Sequence, residues 1–466
     1  MSKLGSTSIS KKAKGIFHSP WEKSFDKILT PFEEFIHQQT SSGILLMLMA
    51  ALALFMANST FASGYAHILH TTVSLGAGSW RLEMSLHHFI NDGLMALFFF
   101  IVGLELKREI LVGELANIRN AVLPIGAAIG GMLVPALIYL MINPDADAAR
   151  GWGIPMATDI AFAIGALALL AKRVPKALIT FLVALAIVDD LGAVLVIAVF
   201  YTDTISMQPL IVATGLFALL VLFNLAGVRK TTPYFIVAII LWYALLLSGV
   251  HATLAGILGA LTIPAIPKYK PELFSRHVKE LMQRFDASHK PGQSIMTNDA
   301  LRAVVQTLEN GVHSVEAPLQ RLEHAWHIPV AYLVIPIFAL ANAGIPLSTD
   351  ALTETLAHPV LLGVTLGLVL GKFIGIAGVS WLLLKLKLAV LPKDTRFTQI
   401  CGVSLLAGIG FTMSIFVAEL AFAGQPESLL MAKTGILAAS LFAGITGYVW
   451  LYLVSKKPAD KTESSQ

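Results

Sequence analysis

Apolar runs of membrane-crossing length alternate with short polar breaks along most of the chain. A hydrocarbon core about 30 Å thick takes roughly 20 residues of helix to cross, so each such run predicts a transmembrane helix. The runs fall near residues 43–57, 86–112, 121–142, 151–173, 176–203, 210–228, 232–248, 250–266, 328–347, 358–385, 399–422 and 429–454. The pattern predicts an all-α polytopic membrane protein with about twelve transmembrane helices. Residues 43–454 form its membrane domain, between polar tails at 1–42 and 455–466. The run at 43–57 follows a long basic stretch without a small-residue cleavage site, so it reads as a retained span and not a signal peptide. Two interruptions differ from the rest. Residues 72–84 alternate around a Gly-Ala-Gly turn and predict a surface hairpin, and residues 268–326 carry helical apolar spacing with soluble character, a helical insertion outside the bilayer.

Composition agrees with this reading. Of 466 residues 56% are hydrophobic and 13% charged, against about a quarter charged in soluble domains. The net charge of +4 could suggest a nucleic-acid partner in a soluble protein. Here the basic residues gather in alternate loops, the distribution that marks cytoplasmic segments, so no nucleic acid is implied and both termini are expected in the cytoplasm. One cysteine, Cys401, excludes an intramolecular disulfide framework and a cysteine-rich metal site. No phosphate-binding loop of the Walker type is present, and no cofactor is implied.

Two runs are broken, and three carry charge where none is structurally required. Gly151, Gly153 and Pro155 precede Thr158 and Asp159, and Gly408 and Gly410 interrupt a later run. Irregular backbone at membrane depth is tolerated only where protein or a water-filled cavity surrounds it. Asp189 and Asp190 stand side by side in the middle of the run at 176–203, and Lys372 lies midway along that at 358–385. An intramembrane carboxylate costs about 2.5–3.5 kcal/mol on insertion scales, so the pair reads as a proton- or cation-exchange site, with Lys372 as its cationic partner. The broken runs lie in the middle of two groups of three, about 121–203 and 358–454, that run with opposite topology. That is the inverted-repeat pattern of secondary transporters, with discontinuous helices crossing at the midplane. Asn91 and Asp92 read as a helix start, and Glu105, Lys107, Arg108 and Glu109 as an interfacial cluster or a charged funnel mouth. A lone His251 between two runs is more often a structural residue than a site.

The words ATDIAFAIGALALLAKRVP, ALAIVDDLGA, SGVHATLAG, LVGLELKRE, RLEHAWH and GIGFTMSIF, in this order along the chain, resemble the NhaA-type sodium/proton antiporters of bacteria. The resemblance implies a pH-activated secondary antiporter of the inner membrane that extrudes Na+ or Li+ in exchange for external H+ by alternating access. It implies that Asp190 is the main Na+ ligand, that Asp189 pairs with Lys372, and that Thr158 and Asp159 complete or balance the site. Glu105, Arg108, Glu109, Glu323, His324 and His327 match positions linked to pH response, with His251 a further candidate. The hairpin at 72–84 is expected to join two copies into a homodimer, with membrane lipid as the other partner. Two different classes compete with this reading: an intramembrane aspartyl protease using Asp159 and Asp190 as a dyad, and a passive cation channel.

Overall fold

The computed structural model describes residues 31–77, 80–171, 173–202, 205–267, 271–288, 295–346 and 357–455. Most of both polar tails falls outside them, as do the loop acids Asp203, Asp350 and Glu354. The first apolar run lies in α1 (Pro31–Ala57), which begins at Pro31 and not near residue 43. A bend of 112° leads into α2 (Ala62–His70). The expected hairpin follows as β1 (Thr72–Ala77) and β2 (Trp80–Ser85), antiparallel with Val73 opposite Met84.

The bundle continues with α3 (Leu86–Val112) and α4 (Ile118–Ile142). A 3₁₀ segment, Arg150–Met156, leads through extended residues into α5 (Ile160–Ala168). Next come α6 (Lys176–Phe200), α7 (Met207–Leu225), α8 (Thr232–Ser248) and α9 (Leu254–Thr262). Two polar amphipathic helices, α10 (Pro271–Ser288) and α11 (Asp299–Val315), pair with each other as the insertion. The last group is α12 (Pro318–Asn342), α13 (Pro359–Lys385), α14 (Phe397–Leu406), α15 (Phe411–Ala421) and α16 (Pro426–Val454).

Among the described residues eight helical stretches are long and apolar enough to cross a membrane, Ala146–Ala168 through the broken segment and α5 being one of them, or ten if each bent pair counts as one span. The expectation of about twelve exceeds this because α8 and α9 are apolar but short. Helix α12 starts at Pro318, before the expected end of the insertion near 326, so the motif RLEHAWH lies on the same helix as the apolar run that follows it.

Side-chain contacts sort the helix ends into two sets. At one end, Lys107 bonds the Leu261 and Ile263 carbonyls, Arg229 that of Ile266, and Arg173 that of Tyr452. At the other, Asn143 bonds the Pro359 carbonyl and Tyr65 that of Leu340. The first set gathers the Lys- and Arg-rich loops, so it is called the basic end below.

Helices α4 and α13 pack antiparallel through glycines. A side chain at Gly126 would meet Leu383, one at Gly130 the Gly375 carbonyl, and one at Gly371 the backbone of Pro135. Small residues let transmembrane backbones approach closely where lipid supplies no hydrophobic drive between helices. This seam places Lys372, buried in α13, against α4 and toward the middle of the bundle. A π-helical turn at Gly367–Gly371 directly precedes that lysine. Helix α4 and the broken segment before α5 belong to one group of three, α13 and the break before α15 to the other, and α4 runs opposite to α13. The two groups are thus related by inverted topology.

Candidate functional site

The two breaks meet. Ala157 is extended (φ −79°, ψ 142°), as is Asp159 (φ −85°, ψ 100°), just past the end of the 3₁₀ segment that holds Gly151, Gly153 and Pro155. Opposite them, residues 407–410 separate α14 from α15, which bend by 48°. A Cβ at Gly410 would lie 3.1 Å from the Ala157 carbonyl oxygen, so the close crossing favours glycine. The freed backbone groups are satisfied across the crossing, as burial in an apolar medium requires. The Asp159 amide donates to the Ile409 carbonyl at 2.7 Å, and Ser414 Oγ donates to that of Ile154 at 2.8 Å.

Asp159 joins the two half-helices. One carboxylate oxygen accepts from the Phe162 amide at 3.0 Å, capping α5. The other accepts from the Thr412 amide at 2.9 Å and the Thr412 hydroxyl at 2.5 Å, at the start of α15. A negative charge between two helix N-termini faces the positive ends of both dipoles. With both oxygens engaged, Asp159 is poorly placed to share a proton with Asp190 as an aspartyl-protease dyad would. Thr412 is a participant that the sequence reading left unassigned, although the Gly-interrupted word around it had been singled out.

Asp189 and Asp190 follow each other on α6 but meet different surroundings. Asp189 Oδ2 accepts from the Lys372 ammonium and lies 2.5 Å from Thr158 Oγ1. Thr158 Oγ1 is also 3.0 Å from the Ala407 carbonyl oxygen. A hydroxyl has one proton, so it can donate to the carboxylate or to the carbonyl but not fully to both. A protonated Asp189 would let Thr158 turn its proton to Ala407. Asp190 has neither oxygen hydrogen-bonded, and Asp189 Oδ1 is likewise without a hydrogen-bond partner. All five side chains, Thr158, Asp159, Asp189, Asp190 and Lys372, are at most 1% exposed. Three carboxylate oxygens on adjacent buried residues of α6 thus lack a hydrogen-bond partner, which is costly in an apolar interior.

The charged residues at the basic end form a second group. Arg108 Nε pairs with Glu323 Oε1 at 3.0 Å, joining α3 to α12. Glu109 turns back to accept from the Glu114 amide at 2.7 Å. Glu105 lies within electrostatic reach of Arg108, Glu109 and Glu323 on one side and of Asp190 on the other. His324 and His327 sit on the same first turns of α12, within reach of each other. His251 is not among them. Its Nε2 lies 2.9 Å from the Tyr201 carbonyl oxygen, at the end of α9 opposite to the one Lys107 caps. Tyr201 in turn holds the Gly153 amide and the Arg150 carbonyl. His251 thus braces the entrance to the broken segment.

A third group, absent from the sequence reading, lies near the opposite end. Lys433 pairs with Glu419 at 2.5 Å, and His87 Nε2 lies 3.7 Å from Glu419 and 3.0 Å from Asn342 Oδ1. An acid and a lysine inside the last two apolar runs were the available signal. Asn91, read as a helix start, bonds Asn342 across the bundle.

Comparison with known proteins agrees with this arrangement. The family described as Na+/H+ antiporter 1 matches residues 33–451. The chain is 57% identical over 432 residues to "Na(+)/H(+) antiporter NhaA 1" of Saccharophagus degradans, covering 93% of each chain. It is 53% identical over 439 residues to "Na(+)/H(+) antiporter NhaA" of Sulfurimonas denitrificans, covering 94% of this chain and 99% of the relative. To the protein of the same name from Dichelobacter nodosus it is 47% identical, covering 96% of both. These relatives are transporters and not enzymes, and the family match at 33–451 spans both broken helices and the buried acids. A bundle with inverted groups of three, two crossing breaks and buried carboxylates at the crossing is thus matched in sequence almost end to end, and the chain belongs to the NhaA-type family of multi-pass sodium/proton antiporters.

Proposed function

We propose that this chain exchanges Na+ or Li+ for H+ across the bacterial inner membrane by alternating access at one site, with Asp190 as the principal ligand. The observation that supports this most is the set of three buried carboxylate oxygens, two on Asp190 and one on Asp189, that no protein group satisfies. Sodium and lithium are hard cations that favour oxygen ligands, and protons bind the same oxygens. A site that holds either, but not both, couples their opposite movements without ATP. Lys372 and Asp159 fit as the balancing groups. The Lys372 ammonium offsets Asp189 when no cation is bound, and a cation drawing on Asp189 competes with it. Asp159 lies between the half-helix ends, where its hydrogen bonds to both steady the crossing.

In this reading the basic end faces the cytoplasm, in accord with the Lys and Arg bias of its loops. Glu105, Arg108, Glu109, Glu323, His324 and His327 then guard the inner mouth, where they raise local cation concentration and tune the response to pH. External protons enter and sodium leaves, and activity rises with pH because protons vacate the acids. The hairpin of β1 and β2 supplies the contact between two copies, since a two-stranded sheet leaves strand edges available for pairing.

The test is transport by purified protein in proteoliposomes carrying an imposed pH gradient. Added sodium or lithium should collapse the gradient with the unaltered protein and not with Asp190→Asn, which should remain folded. Full exchange by Asp190→Asn at alkaline pH would remove Asp190 from the site. Asp189→Asn should also impair exchange, since it removes a ligand oxygen and strands Lys372.

A further inference from the structure

At the basic end a recess of about 800 Å³ opens between the loop before α6, the loop between α13 and α14, and the last turn of α16. Arg173, Lys176, Lys393 and Arg396 line it, with Asp394 as the one acid among its lining residues. This charge has a backbone counterpart. Pro175, Lys176 and Ala177 also line the recess, and they are the first turn of α6, whose N-cap Pro175 offers no side-chain bond to its amides. The N-terminus of this 25-residue helix turns the positive end of its dipole toward a recess lined by four cations, an arrangement that favours an anion.

The depth of the recess identifies the anion. Its walls are the ends of long apolar helices, and exposed aromatic side chains sit in the last two turns of α13 and α16, beside it. Trp381 is 50% exposed, Trp450 40% and Tyr452 45%. Trp450 Nε1 donates to the Thr398 carbonyl at 2.8 Å, the Arg173 guanidinium lies 3.8 Å from the Tyr452 ring centre, and the Lys385 ammonium 4.6 Å from that of Trp381. Tryptophan and tyrosine collect where acyl chains give way to headgroups, and basic pockets between helices at that level take lipid phosphates.

We propose that this recess binds the phosphate group of an anionic phospholipid, held by Arg173, Lys176, Lys393 and Arg396 at the N-terminus of α6. The bound headgroup would tie α6, which carries Asp189 and Asp190, to the ends of α14 and α16 in the other inverted group. Neither the exchange reaction nor its direction enters the argument, so a failure here leaves the proposed function intact.

The experiment measures binding to the full-length protein in detergent by thermal shift and native mass spectrometry. The probes are phosphatidylglycerol, phosphatidylcholine of the same chains, and inorganic phosphate. Phosphatidylglycerol should bind with at least about tenfold preference over phosphatidylcholine, and Lys393→Gln/Arg396→Gln should remove about tenfold of its affinity. Arg173→Gln should do the same, and if it alone lowers the melting temperature without lipid, the double variant decides. Protection by inorganic phosphate alone, lost in the double variant, would keep the phosphate site and assign a free anion to it. Equal binding of both lipids, or unchanged phosphatidylglycerol affinity in the variants, would overturn the proposal.

Discussion

Adjacent acids on one helix turn differ because their neighbours differ. Asp189 is held by Lys372 and Thr158, whereas Asp190 is held by nothing in the protein. Removing one member of a buried ion pair typically costs about 3–5 kcal/mol, since the other is left charged and unpaired. Lys372→Ala should therefore lower the melting temperature visibly, and Lys372→Ala combined with Asp189→Asn should recover part of the loss. An unchanged melting temperature in the single variant would mean that the pair does not form. Asp159→Ala should also destabilise, by about 1–3 kcal/mol, because it uncaps α5 and α15 together. The sequence made the acids and Lys372 legible because charge in the middle of an apolar run is costly. It did not reveal that Asp159 also caps the second half-helix, because its partner Thr412 lies some 250 positions away.

At the scale of elements, the breaks were legible and the seams were not. Gly and Pro at membrane depth announced the irregular backbone near Asp159 and Gly410. The π-helical turns at Ile90–Leu94, Val330–Val334 and Gly367–Gly371 gave no such notice, since their residues are those of an ordinary span. The start of α12 was missed because Arg321, Glu323 and His324 look like a soluble helix until its apolar continuation is joined to them. The α4/α13 seam rests on glycines whose absent side chains would strike the facing backbone. Gly375→Val should force the helices apart at the level of Lys372, costing at least about 1–3 kcal/mol. It should lower both melting temperature and exchange, whereas Gly378→Val on the same helix, where a side chain meets nothing within 4 Å, should leave both nearly unchanged. Similar behaviour of the two variants would show that the close approach does not matter.

For the whole molecule, the alternation of apolar and polar segments prescribed a bundle, and the basic loops marked one end of it. The opposite sense of α4 and α13 then follows from the chain order and is visible in their antiparallel glycine contacts. In the proposed function such symmetry would let one crossing face either side of the membrane, so that a single set of carboxylates meets both ions in turn. The proposed dimer belongs to this scale as well. Deleting residues 72–84 should convert a dimer to a monomer by light scattering while exchange persists, and a dimer that survives the deletion would place the contact elsewhere.

The central claim is that sodium and protons compete for Asp189 and Asp190. Under the proposed competition, protons would hold these oxygens at acid pH and exclude sodium, and exchange would begin as they leave at higher pH. If one proton is displaced by one sodium ion, the midpoint of activation should move to lower pH by about one unit for each tenfold rise in sodium. The direct measurement is the pH midpoint of exchange in proteoliposomes at low and at high sodium. Competition predicts that shift, with the Glu323→Gln/His324→Gln variant offset from the native curve but sloping equally. A midpoint that stays fixed as sodium rises would contradict the competition account and make the charged cluster at the basic end the primary switch.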